Sequence, residues 1–132
     1  MEFESTEKLS MVYETLKNID TAITRLQERT VQIHSADDFV LSPFGMEKLD
    51  AACMVIIALG EAVKTLDKLT NKELLPTYPS IDWKKVMGAR DIMAHHYFVI
   101  DAEEVFSIIK NDLEPLKKAI VFFKEELFSN NK

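Results

Sequence analysis

With 132 residues and 47% apolar side chains, the chain has the size and composition of one globular domain with a single core. Its formal net charge of -6 disfavours non-specific coating of nucleic acid, since that binding depends on Lys and Arg neutralising phosphates. A lone cysteine excludes a disulfide framework within one chain. We therefore predict a single domain over residues 1–132, with any nucleic-acid chemistry confined to a local site.

The N-terminus is acidic and does not lead into an uninterrupted apolar segment. This predicts neither a signal peptide nor a membrane span, and hence a cytoplasmic protein without a membrane partner. Cys53 lies within an apolar run, which favours a buried small hydrophobic residue over a reactive thiol.

Apolar residues recur at steps of three and four through most of the chain, a pattern typical of amphipathic helices. A first helix is predicted from about Ser5 into the low thirties, followed by a break. A second is predicted from Pro43 to about Leu69, with Gly60 allowing the close approach of a neighbour. The middle of this second helix is apolar on nearly every side, which predicts the central helix of a bundle.

Residues 70–73 match a capping box that opens a short helical turn, which Pro76 and Pro79 then close. Asp82 is a good N-cap for a third helix that begins at Trp83.

The third helix is predicted to carry residues 90–97 as part of one element and to be interrupted at residues 98–100. Asp101 and Glu104 then form a cap for a last amphipathic helix. The fold class predicted is all-α, an antiparallel up-and-down bundle of four main helices plus a short helix.

Residues 90–97 contain most of the side chains in this sequence that could bind a phosphate, transfer a proton or accept a modification. At about 100° per residue, Arg90, Asp91 and His95 form a polar arc almost opposite an apolar arc that includes Met93. Asp91 and His95 are i,i+4 neighbours, so the carboxylate can orient the imidazole. The spacing fits a reactive centre and fits equally a solvated surface with an ordinary ion pair.

The other two polar side chains of this stretch, His96 and Tyr97, have different expected roles. His96 falls inside the apolar arc, which favours a packed, hydrogen-bonded histidine, while Tyr97 falls beside Arg90. A metal site built from Asp91, His95 and His96 is disfavoured, because His96 points away and the sequence offers no further His or Cys cluster. No metal and no cofactor are predicted.

The polar arc suits RNA cleavage without metal, which needs a base, an acid and a cation beside the phosphorane. His95 can serve as base or acid, and the Arg90 guanidinium can bind phosphate oxygens bidentately. One copy supplies one histidine, so a second copy related by two-fold symmetry would complete the pair. Lys84, Lys85 and Lys110 are expected to add local positive surface for RNA.

The pattern Arg90, four residues, His95, one residue, Tyr97 resembles the motif of the HEPN superfamily, and more narrowly of the HepT-like toxins. The flanking segments 58–64 and 78–90 are similar to that family in order and spacing. The resemblance spans most of the chain and is strongest from Leu59 to Asp101.

This resemblance implies a dimeric, metal-independent endoribonuclease of a type VII toxin–antitoxin module, acting on an RNA substrate for which tRNA is one candidate. Arg90 and His95 would be catalytic at a dimer-interface cleft, with Asp91 assisting. Tyr97 would be adenylylated by a partner, a minimal nucleotidyltransferase antitoxin, which silences the toxin. Many relatives carry Asn after the arginine, whereas Asp91 adds a negative charge facing an RNA phosphate.

Glu61 and Lys64 match the family's pattern on the second helix and are expected to form a structural ion pair. The alternative function is a non-catalytic HEPN dimer that binds a nucleotidyltransferase, favoured by the acidic balance and by Asp91. The presence of Arg90, His95 and Tyr97 argues against that alternative. The sequence supports a third function, that of a plain helical adaptor, less than either of these.

Overall fold

The computed structural model describes residues 5–95 and 101–128, with side chains for residues 5–93 and 101–128. Its α-helices are α1 Thr6–Arg29, α2 Asp37–Val40, α3 Pro43–Leu69, α4 Trp83–Met87, α5 Ala89–His95, α6 Ala102–Ser107 and α7 Leu113–Phe128. A 3-10 turn at Leu75–Thr77 precedes α4, and a π turn at Ile108–Asp112 joins α6 to α7. These ranges contain no β-strand, so the predicted all-α bundle is confirmed.

The core lies between the long helices. α1 packs against α3 and α7, and α3 also contacts α2, α4, α5 and α6, which confirms its central place in the bundle. Each long helix buries one face by the expected spacing of three and four residues. On α1 that face comprises Val12, Leu16, Ile19, Ile23 and Leu26.

Side-chain caps set the starts of the long helices. The Ser5 hydroxyl accepts a hydrogen bond at the start of α1, and the Ser42 hydroxyl accepts one from the backbone N–H of Gly45 at 2.9 Å, with Pro43 in the first position of α3. α3 has the predicted bounds. α1 ends slightly earlier than predicted, at Arg29, and the predicted break contains the short helix α2.

The capping box predicted at residues 70–73 is wrong. The Thr70 hydroxyl donates to the Leu66 carbonyl at 2.9 Å, so it closes α3 rather than opening a new helix. Asn71 and Lys72 follow with positive φ values of 54° and 63°, and their N–H groups donate back to carbonyls of α3. This is a Schellman-type end, in which the backbone satisfies the last carbonyls of the helix. A short turn is present further along, as the 3-10 turn at Leu75–Thr77, and Pro76 lies at its start rather than closing it.

The prediction of one helix from Trp83 through the Arg90 segment is also wrong, because the chain breaks at Gly88. The N–H of Gly88 donates to the carbonyl of Lys84 at 3.0 Å and ends α4, with Gly88 at φ -86° and ψ 1°. The Gly88 carbonyl then accepts from the N–H of Asp91 at 3.1 Å, which starts α5. The near-zero ψ places Gly88 in the bridge region of φ/ψ space, outside regular helix geometry.

The last helical segment begins as predicted, since the Asp101 carboxylate accepts from the N–H of Glu104 at 3.1 Å. It is not a single regular helix, because the π turn at Ile108–Asp112 separates α6 from α7. The predicted interruption at residues 98–100 lies outside the described residues.

Cys53 is half-buried on α3 rather than fully buried. Burial raises the pKa of its thiol, and the nearby Asp50 carboxylate raises that pKa further. This environment disfavours a reactive thiolate. In the described part of the chain, no helix is long and apolar enough to cross a membrane.

Candidate functional site

Helix α5, which carries the polar arc, directly follows α4, and the contacts of α4 fix where α5 begins. The Asp82 carboxylate accepts from the N–H of Lys85 at 3.1 Å, which confirms the predicted N-cap. Trp83 is buried, its indole N–H donates to the carbonyl of Tyr78 at 2.9 Å, and its ring stacks on Phe123 of α7 at 5.7 Å between centroids. These contacts hold the start of the α4–α5 segment against α7.

Gly60 places α3 against the junction between α4 and α5. A Cβ atom built on Gly60 would lie 2.7 Å from the carbonyl oxygen of Val86 and 3.4 Å from the Cβ of Ala89. The first distance is shorter than real Cβ contacts, so only glycine fits without a shift of the backbone. The close approach predicted for Gly60 is confirmed, and the neighbour is the segment that leads into the site.

The two faces of α5 divide as the helical wheel predicts. Ala89 and Met93 are buried in the core, with 8% and 9% of their surface exposed. Arg90 and Asp91 are exposed on the other side. The described side chains of the polar arc are therefore open to solvent, where a nucleic acid could reach them.

Arg90 has a partner that the sequence analysis did not predict. Its Nη1 lies 3.8 Å from Oε1 of Glu61 on α3, while the other carboxylate oxygen of Glu61 accepts from Lys64 Nζ at 3.2 Å. The predicted Glu61–Lys64 ion pair is confirmed, but Glu61 bridges Lys64 and Arg90 rather than serving Lys64 alone. Gly60 could have indicated this pairing from the sequence. A close helix contact at Gly60 also brings Glu61, the next residue, toward the segment that carries Arg90.

His95 is the last residue of α5, and its side chain lies outside the described part of the chain. The i,i+4 relation of Asp91 and His95 along α5 is present in the backbone, and their contact stays a prediction. His96 and Tyr97 lie outside the described residues.

The three lysines predicted to bind RNA are exposed and fall on two elements that meet. Lys84 and Lys85 lie on α4, and Lys110 lies in the π turn. Lys85 Nζ lies 3.8 Å from the carboxylate of Asp112 in the same π turn. The structure therefore joins the π turn that carries Lys110 to α4 through Asp112, and it pairs Lys85 with an acid that was not predicted.

A cavity of about 360 Å³ lies on the core side of α5. Ile92 and Met93 contribute to its mainly apolar lining, together with side chains of α3, α4 and α7. Arg90 and Asp91 are not among the lining residues. The cavity and the polar arc thus lie on opposite sides of α5.

No cluster of three or more His, Cys, Asp or Glu side chains suited to a metal ion occurs within the described ranges. The metal alternative involving Asp91, His95 and His96 includes side chains beyond those ranges.

A family model described as "Ribonuclease HepT-like" matches residues 19–122, which covers α3, α4, α5 and the Arg90 motif. The chain belongs to the HepT-like family. This confirms the family predicted from Arg90, His95 and Tyr97 and the segments around them.

Curated relatives of this HepT-like chain carry ribonuclease names. It is 33% identical over 115 residues to a Methanocaldococcus jannaschii protein named "Gamma-glutamylcyclotransferase and putative RNase", covering 87% of this chain and 48% of that protein. It is 27% identical over 115 residues to a "Putative RNase" of the same organism, covering 84% and 85%. A "Putative RNase" of Caldanaerobacter subterraneus is 29% identical over 86 residues, covering 65% and 70%.

The HepT-like chain thus spans about half the length of the first of these relatives. No solved structure matches it significantly.

Proposed function

We propose that this HepT-like protein is a metal-independent endoribonuclease, the toxin of a type VII toxin–antitoxin module. The observation that carries the proposal is the exposed Arg90 on α5, in the helix that also contains His95, within a chain of the HepT-like family. The ribonuclease names of the relatives support the same class of activity.

The chemistry follows from the two residue types. Arg90 binds the non-bridging oxygens of the scissile phosphate and stabilises the charge of the phosphorane. A histidine takes the proton of the 2'-hydroxyl as that oxygen attacks phosphorus, and a protonated histidine gives a proton to the departing 5'-oxygen. The products are a 2',3'-cyclic phosphate and a 5'-hydroxyl, so atoms and charge balance without a metal.

One chain supplies one motif histidine, and a second makes the acid and base available together, so we include a homodimer in which His95 of two copies meets across a cleft. Exposed apolar surface next to the site supports this. Met54 is 67% exposed, and Met54, Ala58 and Glu61 follow one another at steps of four and three on α3. Met54 and Ala58 therefore lie exposed on the face that carries Glu61 toward Arg90, where a second copy can cover them.

The proposal assigns regulation to Tyr97. A minimal nucleotidyltransferase antitoxin would transfer AMP from ATP to the tyrosyl oxygen, with pyrophosphate as the leaving group. The added phosphate would lie two residues from His95 and close in sequence to Arg90, where it would compete for the guanidinium and block access of RNA.

A second candidate function is a non-catalytic dimer that binds a nucleotidyltransferase. It is favoured by the carboxylates around Arg90, since Asp91 is exposed beside it and Glu61 lies 3.8 Å away. Both oppose the approach of a phosphate.

The deciding experiment incubates total cellular RNA, tRNA included, with purified wild-type protein, His95→Ala and His34→Ala in EDTA. Intact mass first confirms that Tyr97 is unmodified. Cleavage by wild type and His34→Ala but not by His95→Ala supports the ribonuclease. His34 is exposed near α2 and serves as the matched control. Absence of cleavage by unmodified, dimeric wild type favours the non-catalytic partner.

A further inference from the structure

Backbone packing brings the positions of Glu61 and Arg90 close together. Glu61 directly follows Gly60, and Arg90 directly follows Ala89. Gly60 is the point where α3 approaches the α4–α5 junction so closely that a Cβ would meet the Val86 carbonyl and the Ala89 Cβ. The two charged residues therefore leave their helices at a fixed separation.

The Glu61 carboxylate is also held from its other side. Lys64, three residues later on α3, donates to Oε2 at 3.2 Å, and this leaves Oε1 directed at Arg90 Nη1 at 3.8 Å. Because one carboxylate oxygen is already engaged, the group turns less freely, and its second oxygen stays on the side of the guanidinium.

The geometry leaves Arg90 available for a ligand. A separation of 3.8 Å is too long for a hydrogen bond, so Glu61 attracts the guanidinium without occupying its N–H groups. The Arg90 side chain is 63% exposed. A guanidinium binds phosphate through two parallel N–H bonds, which requires its plane to face the phosphate in a defined orientation.

We infer that Glu61 is a positioning residue that orients the Arg90 guanidinium for the scissile phosphate. This inference rests on the proposed ribonuclease function and deepens it. Orientation favours the reacting geometry, while the negative charge of Glu61 weakens the attraction of Arg90 for any phosphate. Removal of that charge therefore has opposite effects on kcat and on substrate binding.

The test compares Glu61→Gln with Glu47→Gln. Both variants remove one carboxylate charge from α3, but Glu47 is exposed and lies fourteen residues earlier, about 21 Å along the helix axis. On a short RNA oligonucleotide, Glu61→Gln is expected to lower kcat about tenfold with KM unchanged or lower. Glu47→Gln is expected to match wild type. Melting temperatures should agree among the three proteins, because an exposed ion pair contributes little to stability.

Two further readouts separate positioning from a general structural effect. In an Arg90→Lys background, Glu61→Gln should change kcat less than about twofold, since a residue that acts through the guanidinium has nothing left to orient. In ¹⁵N relaxation measurements, the Nε–H group of Arg90 should be more mobile in Glu61→Gln than in Glu47→Gln.

The outcomes distinguish the two proposals. Cleavage by wild type with equal kcat in Glu61→Gln and Glu47→Gln overturns the inference and leaves the ribonuclease intact. An additive loss in the Arg90→Lys background also overturns it. Absence of cleavage by wild type rejects the ribonuclease, and the relaxation of Arg90 then decides whether Glu61 orients the guanidinium: equal mobility in both variants rejects that role.

Discussion

Gly60 on α3 faces the Val86 carbonyl oxygen so closely that a Cβ atom would lie 2.7 Å from it. A flexible side chain could turn aside from such a contact, but a backbone carbonyl at the end of α4 cannot move without shifting the helix. The distance between α3 and the α4–α5 junction, and with it the separation of the Glu61 and Arg90 backbones, is therefore set at this glycine.

Gly60→Ala is expected to lower the free energy of unfolding by about 1 kcal/mol, because overpacking against backbone costs about 1–3 kcal/mol and exceeds the gain in helix propensity of about 1 kcal/mol. Urea denaturation followed by circular dichroism measures the change. The difference in stability between Thr65→Ala and Thr65→Gly, at an exposed position of the same helix, calibrates the propensity contribution. A Gly60→Ala protein as stable as wild type would show that the two helices do not approach this closely.

Trp83→Phe is expected to cost about 1–2 kcal/mol, because it removes the 2.9 Å hydrogen bond to the Tyr78 carbonyl but keeps an aromatic ring against Phe123. Trp83→Ala also removes the ring, and its cost should rise to about 3–5 kcal/mol. Far-UV circular dichroism is the suitable probe, since Trp83 is the single tryptophan of the chain. Equal stability of Trp83→Phe and wild type would mean that the indole hydrogen bond does not anchor α4.

Lys84→Glu is expected to weaken RNA binding without lowering stability, because Lys84 is exposed and lies on the helix that leads to the site. Fluorescence anisotropy with a 2'-O-methyl RNA at several salt concentrations should show a slope in log K against log salt that is shallower by about 1. Unchanged binding would show that Lys84 does not contact RNA.

Lys85→Glu is expected to behave differently from Lys84→Glu, because Lys85 lies 3.8 Å from the Asp112 carboxylate. The substitution places two acids together and should lower the melting temperature as well as RNA affinity. Adding Asp112→Lys restores an opposite-charge pair and should recover the melting temperature. A double variant as unstable as Lys85→Glu alone would show that the pair does not act across α4 and the π turn.

Asp91→Asn is expected to increase RNA affinity about fivefold at low salt, since it removes an exposed negative charge beside Arg90 worth about 1 kcal/mol in water. The gain should shrink as the salt concentration rises, because exposed charges are screened. Filter binding at low and high salt provides the measurement, with intact mass confirming the substitution. Weaker binding by Asp91→Asn would instead indicate that the carboxylate assists the site.

Local patterns were sufficient for the helix starts and for the exposed face of α5. Pro43, Asp82 and Asp101 mark helix starts that the structure confirms. The division of α5 into a buried side at Met93 and an exposed side at Arg90 also followed from the helical period. These features depend on contacts within four residues along the chain, which the order of residue types specifies directly.

Tertiary structure decided which elements meet. Thr70 matches the sequence pattern of a helix start, but its hydroxyl bonds to the last turn of α3. The next two residues take left-handed φ values, which turn the backbone N–H groups back toward the carbonyls of α3. The break at Gly88 and the pairing of Glu61 with Arg90 arise where α3 and the α4–α5 junction pack backbone against backbone. The sequence alone determined the family, the all-α class and the exposure of Arg90. The family follows from the motif of Arg90, His95 and Tyr97, and the other two follow from the helical spacing of apolar residues. The bridge from Lys64 through Glu61 to Arg90 required the fold, because its two helices are brought together by packing of the whole core.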